Sequence, residues 1–349
     1  TTATPMARAS IAARNTPQSA QGLPLDAAAT ATVANRFLLT GGRIMRAAPL
    51  ARNRMLLDGR TQAGPEDVRT AMRAVNRQVL ETLAAPLPAV GGWSSLVAAP
   101  RVAEQLDLLE ARCRSREQIL AHVGPAFANS LNRGVRALFS GPSGTGKTLA
   151  ARALAGALQM DLYRVDLASV VNKYIGETEK NLNRIFTYAE ELDIILLLDE
   201  GDSLMTRRTD VKGANDRYAN LETNFLLQRL ESYEGIILIT TNAAQRIDQA
   251  FVRRLDVTID FSLPEADERR QLWRLHLPAD HQIDDAFLEK AVLRCKLSGG
   301  QIRNTALHAG LLALRRGGPI TAAEVADALQ REYRKAGHPY PLAAGAGRS

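Results

Sequence analysis

The chain of 349 residues carries 44 Lys and Arg against 37 Asp and Glu, a net charge of +7, with 46% apolar residues. That composition supplies a globular core, and no apolar run approaches the roughly 20 residues a membrane-spanning helix needs. Two distant cysteines, Cys113 and Cys295, exclude a secreted disulfide framework, and the first forty residues lack a signal-peptide pattern, so a reducing, cytoplasmic setting is expected.

In chain order, residues 1–23 are rich in Ala, Thr, Ser, Gln and Pro and read as a flexible arm. Residues 24–84 are helical in pattern, broken at Gly41-Gly42 and at Gly64-Pro65, and 85–92 form a Pro/Gly-rich linker. A helical pattern over Val102–His122 opens the segment 93–262. Within it, strand patterns at Val135–Ser140, Leu162–Leu167, Ile194–Leu198, Ile236–Thr240 and Val257–Phe261 alternate with amphipathic helices. On one of these helices Leu182, Ile185, Phe186, Ala189 and Leu192 share a face. Strands separated by helices predict an α/β fold with a parallel five-stranded sheet covered on both sides. Past Leu263-Pro264 only helices follow, over 263–337, the last opened by the capping pair Thr321 and Glu324. Residues 338–349 form a polar tail.

One internal repeat is present. Leu25–Gly59 aligns without gaps on Ile283–Gly317 at an offset of 258, matching Asp26/Asp284, Arg36/Arg294, Leu39/Leu297, Gly41-Gly42/Gly299-Gly300, Ile44/Ile302, Leu56/Leu314 and Gly59/Gly317. Residues 24–84 are therefore expected to be a second copy of the C-terminal helical unit, without the α/β part before it. That copy, and a chain starting at Thr1, make a longer natural protein the expectation.

Gly141-Pro142-Ser143-Gly144-Thr145-Gly146-Lys147-Thr148, continued by Leu149, stands between a predicted strand and a predicted helix. Glycines let successive backbone N–H groups wrap a phosphate, and the helix adds the positive end of its dipole. At this spacing Lys147 would reach the outer phosphates and the Thr148 hydroxyl would coordinate Mg²⁺. The buried strand Ile194–Leu198 ends in Asp199-Glu200, and two adjacent acids there need a task, because desolvating unpaired charge is costly. Asp199 would hold the metal and Glu200 would orient and deprotonate an attacking water. Asn242, after the next strand, could bond both a terminal phosphate and that water. Arg253 and Arg254, before the last strand, could end a solvated helix or reach a neighbouring subunit's phosphate.

Together these motifs resemble the AAA+ superfamily of ATPases, in its protein-remodelling branch, over about Trp93 to Lys335. The resemblance implies ATP and Mg²⁺ as ligands, a P-loop α/β subdomain with a helical lid, and sites shared between subunits of a hexameric ring. It assigns Gly141–Thr148 to the Walker A loop, Asp199-Glu200 to Walker B and Asn242 to sensor 1. Arg253 and Arg254 fall in the arginine-finger segment, with Arg254 preferred, and Gly300 falls where the lid backbone approaches base and ribose. Two departures stand out: Gln301 occupies the sensor 2 arginine position, with Arg303 one helical step away, and Gly201 replaces an aliphatic residue after the acidic pair.

Tyr174, Ile175 and Gly176 match the aromatic-aliphatic-glycine loop that lines the axial channel in that branch and grips an extended polypeptide, and the charged run Arg207–Arg217 could form a second channel loop. The implied partners are further copies of the chain and a protein substrate, with no membrane. Tyr174–Phe186 and Asp216–Glu234 further resemble ATPases of contractile, phage-tail-like injection systems. The alternative is a DNA-handling AAA+ protein, a loader or transposition helper. Against it, residues 1–90 hold eleven Arg, no Lys and five acids, so most of the basic excess lies outside the ATPase segment.

Overall fold

The computed structural model describes residues 24, 41–64, 66–68, 70–71, 74, 80–116, 118–119, 122–124, 127, 132–166, 177–205 and 214–342. Its centre is a sheet of six strands: β1 (Ala85–Leu87), β2 (Val135–Ser140), β3 (Leu162–Asp166), β4 (Ile195–Asp199), β5 (Ile236–Thr241) and β6 (Val257–Asp260). They lie in the order β1-β3-β4-β5-β2-β6. The five strands expected from the sequence run parallel. The sixth, β1, pairs antiparallel with β3 along Ala85↔Arg164 to Leu87↔Leu162. It comes from the segment read as a linker. Pro86 carries no N–H and is tolerated because β1 is an edge strand.

The helices are α1 (Gly41–Leu57), α2 (Pro100–Ser115), α3 (Lys147–Leu158), α4 (Glu177–Leu192), α5 (Asp202–Met205), α6 (Ala214–Ser232), α7 (Gln249–Val252), α8 (Ala266–His276), α9 (Asp285–Arg294), α10 (Gly299–Arg316) and α11 (Ala322–Lys335). Helix α2 starts with Pro100 in its first turn, where a missing N–H costs nothing. It stops at Ser115, short of the expected His122.

Strand alternation sorts the sheet residues into two cores. Ala137, Phe139, Ile195, Leu197, Ile236, Leu238 and Ile259 pack with Val102, Leu106 and Leu109 of α2 and Ala150, Ala151 and Leu154 of α3. Leu138, Leu196, Leu198, Ile237 and Ile239 point the other way, onto Leu182, Ile185, Phe186 and Ala189 of α4 and Leu226 and Leu230 of α6. Covering on both faces explains why β4 and β5 read as unbroken apolar runs. Ala47 and Ala51 of α1 join the second core together with Val68, Leu80 and Ala84. Helices α8–α11 close around their own core of Trp273, Val292, Ile302, Ala309, Val325 and Leu329. Among the described residues no helix is long and apolar enough to cross a membrane.

Candidate active site

Strand β5 lies between β2 and β4. The loop after β2, the carboxylates ending β4 and the turn after β5 therefore meet at one edge, level with one another: Ser140 stands opposite Thr241 and Asp260, and Asp166 opposite Asp199. Carboxyl ends of parallel strands are where doubly wound sheets bind ligands.

The loop is built on backbone that other residues cannot follow. Gly141, Gly144 and Gly146 have φ of 133°, 78° and 102°, and a Cβ on Gly141 would stand 2.0 Å from the Phe261 carbonyl oxygen. Lys147 begins α3 and is 8% exposed. Its Nζ donates to the Gly141 and Pro142 carbonyls at 2.6 and 2.8 Å and to Asn242 Oδ1 at 2.9 Å. One ammonium thus ties the loop to the turn after β5. Burial pulls its pKa below the usual lysine range, and the nearby Asp199 and Asp202 carboxylates pull it back up.

Asp199 and Glu200 diverge. Asp199 Oδ1 accepts a hydrogen bond from the Thr240 hydroxyl, and its Oδ2 lies 3.8 Å from the Arg164 guanidinium. The Glu200 N–H donates to the same Thr240 hydroxyl at 3.3 Å. Glu200 has φ of 56° and is exposed to the cleft. A non-glycine residue held in that region costs about 1–3 kcal/mol, a strain that clusters at functional sites. Gly201 follows because it must: it is buried, its N–H donates to the Thr240 carbonyl at 2.9 Å, and a Cβ would stand 2.7 Å from Ile239 Cγ2. An aliphatic side chain there would displace β5, which accounts for the departure noted in the sequence. Thr240 was missed in the sequence, since nothing about a threonine before Thr241-Asn242 shows that its hydroxyl faces the carboxylate of a neighbouring strand.

The opposite wall comes from the lid. Ser298 caps α10, and Gln301 completes that capping box by accepting from the Ser298 N–H at 2.9 Å. Gln301 therefore serves the helix end. Gly300 donates to the Gly144 carbonyl at 2.9 Å, and a Cβ on it would lie 3.1 Å from Gly144 Cα, so the lid's glycine pair rests on the phosphate loop itself. Arg303 lines the cleft one turn on, with His276 beside it; burial and the Arg303 charge both lower the His276 pKa. The segment Leu96–Ala99 ahead of α2 lines the cleft as well, and neither it nor His276 stood out in the sequence.

The result is a cleft of about 410 Å³. Backbone donors and Lys147 gather at one end, and Leu96, Val97, Leu272 and Leu275 supply apolar surface. Pro142, Ser143, Thr145 and Leu149 complete the loop; of these, Pro142 is the one that does not line the cleft. For Mg²⁺ the donor set fits: Thr148 lines the cleft with a hydroxyl that has no hydrogen-bond partner among the described residues, and Asp199 offers hard carboxylate oxygens.

The two arginines stand elsewhere. Arg254 is 2.6 Å from the Glu231 carboxylate and donates to the Ala250 carbonyl at 2.7 Å, whereas Arg253 is exposed and has no partner among the described residues. Neither lines the cleft of its own chain. Tyr174, Ile175 and Gly176, and most of Arg207–Arg217, lie outside the described residues.

Comparison with known proteins adds three findings. Residues 137–263 match the family described as "ATPase family associated with various cellular activities (AAA)". The chain is 33% identical over 183 residues to a 26S proteasome regulatory subunit 4 homolog of Oryza sativa subsp. japonica, covering 50% of this chain and 41% of that protein. It is 34% identical over 208 residues to the ATP-dependent zinc metalloprotease FtsH 3 of Sphaerobacter thermophilus, covering 57% and 42%. The chain thus spans less than half the length of these relatives. The crystal structure of a FIGL-1 AAA domain superimposes with a TM-score of 0.56 at 22% identity, covering 72% of this chain and 87% of that one, which shows the shared fold. Residues 137–263 are an AAA ATPase domain on the P-loop α/β fold, homologous to segments of proteasome regulatory subunits and FtsH.

Proposed function

With an AAA ATPase domain as the premise, we propose that the protein hydrolyses Mg²⁺-ATP at the interfaces of a ring of six copies, and uses the cycle to remodel, unfold or thread a protein substrate. The observation that carries this reading is the division of the chemistry. The cleft holds Lys147, Asp199, Glu200 and Asn242, while the exposed Arg253 is not among its lining residues. A cleft lined by Lys147 and Arg303 but by neither Arg253 nor Arg254 is one to which a second copy can add a further cation.

The roles follow from position. The loop glycines and the α3 N-terminus would cradle the phosphates, and Lys147 would exchange its carbonyl partners for the β- and γ-phosphate oxygens. Thr148 and Asp199 would hold Mg²⁺, which when bound supplies charge neutralisation at the bridging phosphate oxygens. Glu200 would take the proton of the attacking water, and Asn242, freed from Lys147, would hold that water or the terminal phosphate. Arg253 is the better candidate for the finger acting in trans, because Glu231 and Ala250 already occupy Arg254. This reverses the preference drawn from sequence. A FIGL-1 domain of the same fold has been crystallised with ADP, in keeping with a nucleotide in this cleft.

Tyr174, Ile175 and Gly176 are proposed to grip the substrate in the axial channel, and a contractile injection system is the proposed setting, in a cytoplasmic compartment. We also read residues 24–84 as a lid-like copy: α1 and α10 are both followed by a glycine of positive φ at matching positions of the repeat, Gly59 at 67° and Gly317 at 79°. The experiment that tests the hydrolytic reading is phosphate release by Glu200→Gln, expected to bind ATP as the parent does while turning over at least about a hundredfold more slowly. Unchanged turnover would remove Glu200 from the mechanism.

A further inference from the structure

An arginine in the middle of β3 needs an explanation. Leu162, Arg164 and Asp166 share one face of that strand, and Leu162 belongs to the same core as Ile195 and Leu197 of β4. Arg164 stands opposite Leu197. Its guanidinium therefore runs along the strand past an apolar neighbour and ends 3.8 Å from Asp199 Oδ2, one residue pair further on. Asp199 is then flanked on both sides of β4. From β5 the Thr240 hydroxyl donates to Oδ1, and from β3 the Arg164 guanidinium faces Oδ2. Lys147 adds a second cation in the same field, but three acceptors already hold it. Arg164 is 46% exposed, and among the described residues Asp199 is its one charged partner.

We propose that Arg164 is a positioning residue that competes with the metal for Asp199, holding Oδ2 in the metal-free site and withdrawing when Mg²⁺ arrives with nucleotide. It weakens resting metal affinity and keeps the carboxylate from being stranded between turnovers. The inference rests on Asp199 as a metal ligand. Its size follows from the geometry: a half-exposed, single-contact ion pair shifts an equilibrium by about two- to fivefold.

The test is calorimetric titration of ADP into the full chain at a series of Mg²⁺ concentrations, and again with chelator, for the parent, Arg164→Ala, Arg164→Lys and Asp199→Asn. The Mg²⁺ concentration giving half of the metal-dependent gain in ADP affinity is expected to fall about two- to fivefold in Arg164→Ala and to stay near the parent value in Arg164→Lys. ADP affinity in chelator is expected to be equal in all three. A metal requirement that is unchanged or raised in Arg164→Ala, with ADP affinity in chelator intact, overturns the role of Arg164 and leaves Asp199 as the ligand. A parent protein as indifferent to Mg²⁺ as Asp199→Asn overturns the metal reading of Asp199, and this inference with it.

Discussion

Arg253 and Arg254 are adjacent and chemically identical, yet their surroundings give them different work. Arg254 is spent within its own chain, against Glu231 and the end of α7, and an exposed pair of that kind contributes about 1 kcal/mol or less. Arg254→Ala is therefore expected to lower stability slightly and to change turnover less than tenfold. Arg253→Ala is expected to cut turnover by about a thousandfold or more, while ATP affinity stays within a few-fold. Steady-state phosphate release with nucleotide titration separates the two, and the opposite ranking would return the finger to Arg254. The local reason for Arg253's exposure is the short α7, whose cap Asp248 accepts from the Ala250 N–H at 2.8 Å and whose last turn leaves Arg253 on the outside. Glycines at the site are equally local in effect. Gly201→Ala would drive a methyl into Ile239 and is expected to cost about 1–3 kcal/mol in chemical denaturation.

At the scale of elements, the sheet and the lid differ in what holds them. Strands β4 and β5 are buried on both faces, whereas α11 buries one face through Val325, Ala328 and Leu329 and carries a capping box at its start. The Thr321 N–H donates to Glu324 at 2.9 Å, and Arg316 lies 2.7 Å from the same carboxylate. Thr321 and then Arg316 hold Glu324 at about 2, below its ordinary 4.5. A carboxyl depressed in this way adds stability above pH 4.5 and loses it as pH falls from 4.5 through about 2. The lid is expected to loosen across that window, seen as faster amide exchange along α11, and Glu324→Gln is expected to flatten the pH dependence. A pH profile unchanged by Glu324→Gln would place the acid sensitivity elsewhere.

Elements are also where sequence reading succeeded and where it stopped. Strands β4 and β5 were legible because burial on both faces leaves unbroken apolar runs, and the phosphate loop because its glycines and lysine have fixed spacing. Strand β1 was not: Ala85-Pro86-Leu87 carries no strand signal of its own and forms because the edge of β3 is there to pair with. Thr240, His276 and Arg164 were hidden for a related reason. Each acts across a strand or domain boundary, and only the folded register brings it to the carboxylate or the cleft. Gln301 looked like a missing arginine until its capping bond to Ser298 gave it a local task.

At the scale of the molecule, the lid and the phosphate loop are joined at the site by a backbone hydrogen bond, Gly300 to Gly144. A lid hydrogen-bonded to the phosphate loop is placed to respond when phosphates fill that loop, and in the proposed ring such a response would reach the next copy. Specific ATPase activity is accordingly expected to rise with protein concentration and then to saturate; activity independent of concentration would make each chain self-sufficient. The central claim, a site completed in trans, is tested most directly by mixing two inactive variants. Lys147→Ala keeps Arg253 but loses its own site, and Arg253→Ala keeps its site but lacks the cation. Phosphate release from an equal mixture is expected to recover a substantial fraction of parental activity, each variant alone remaining near background. A mixture as inactive as its components would contradict a shared site.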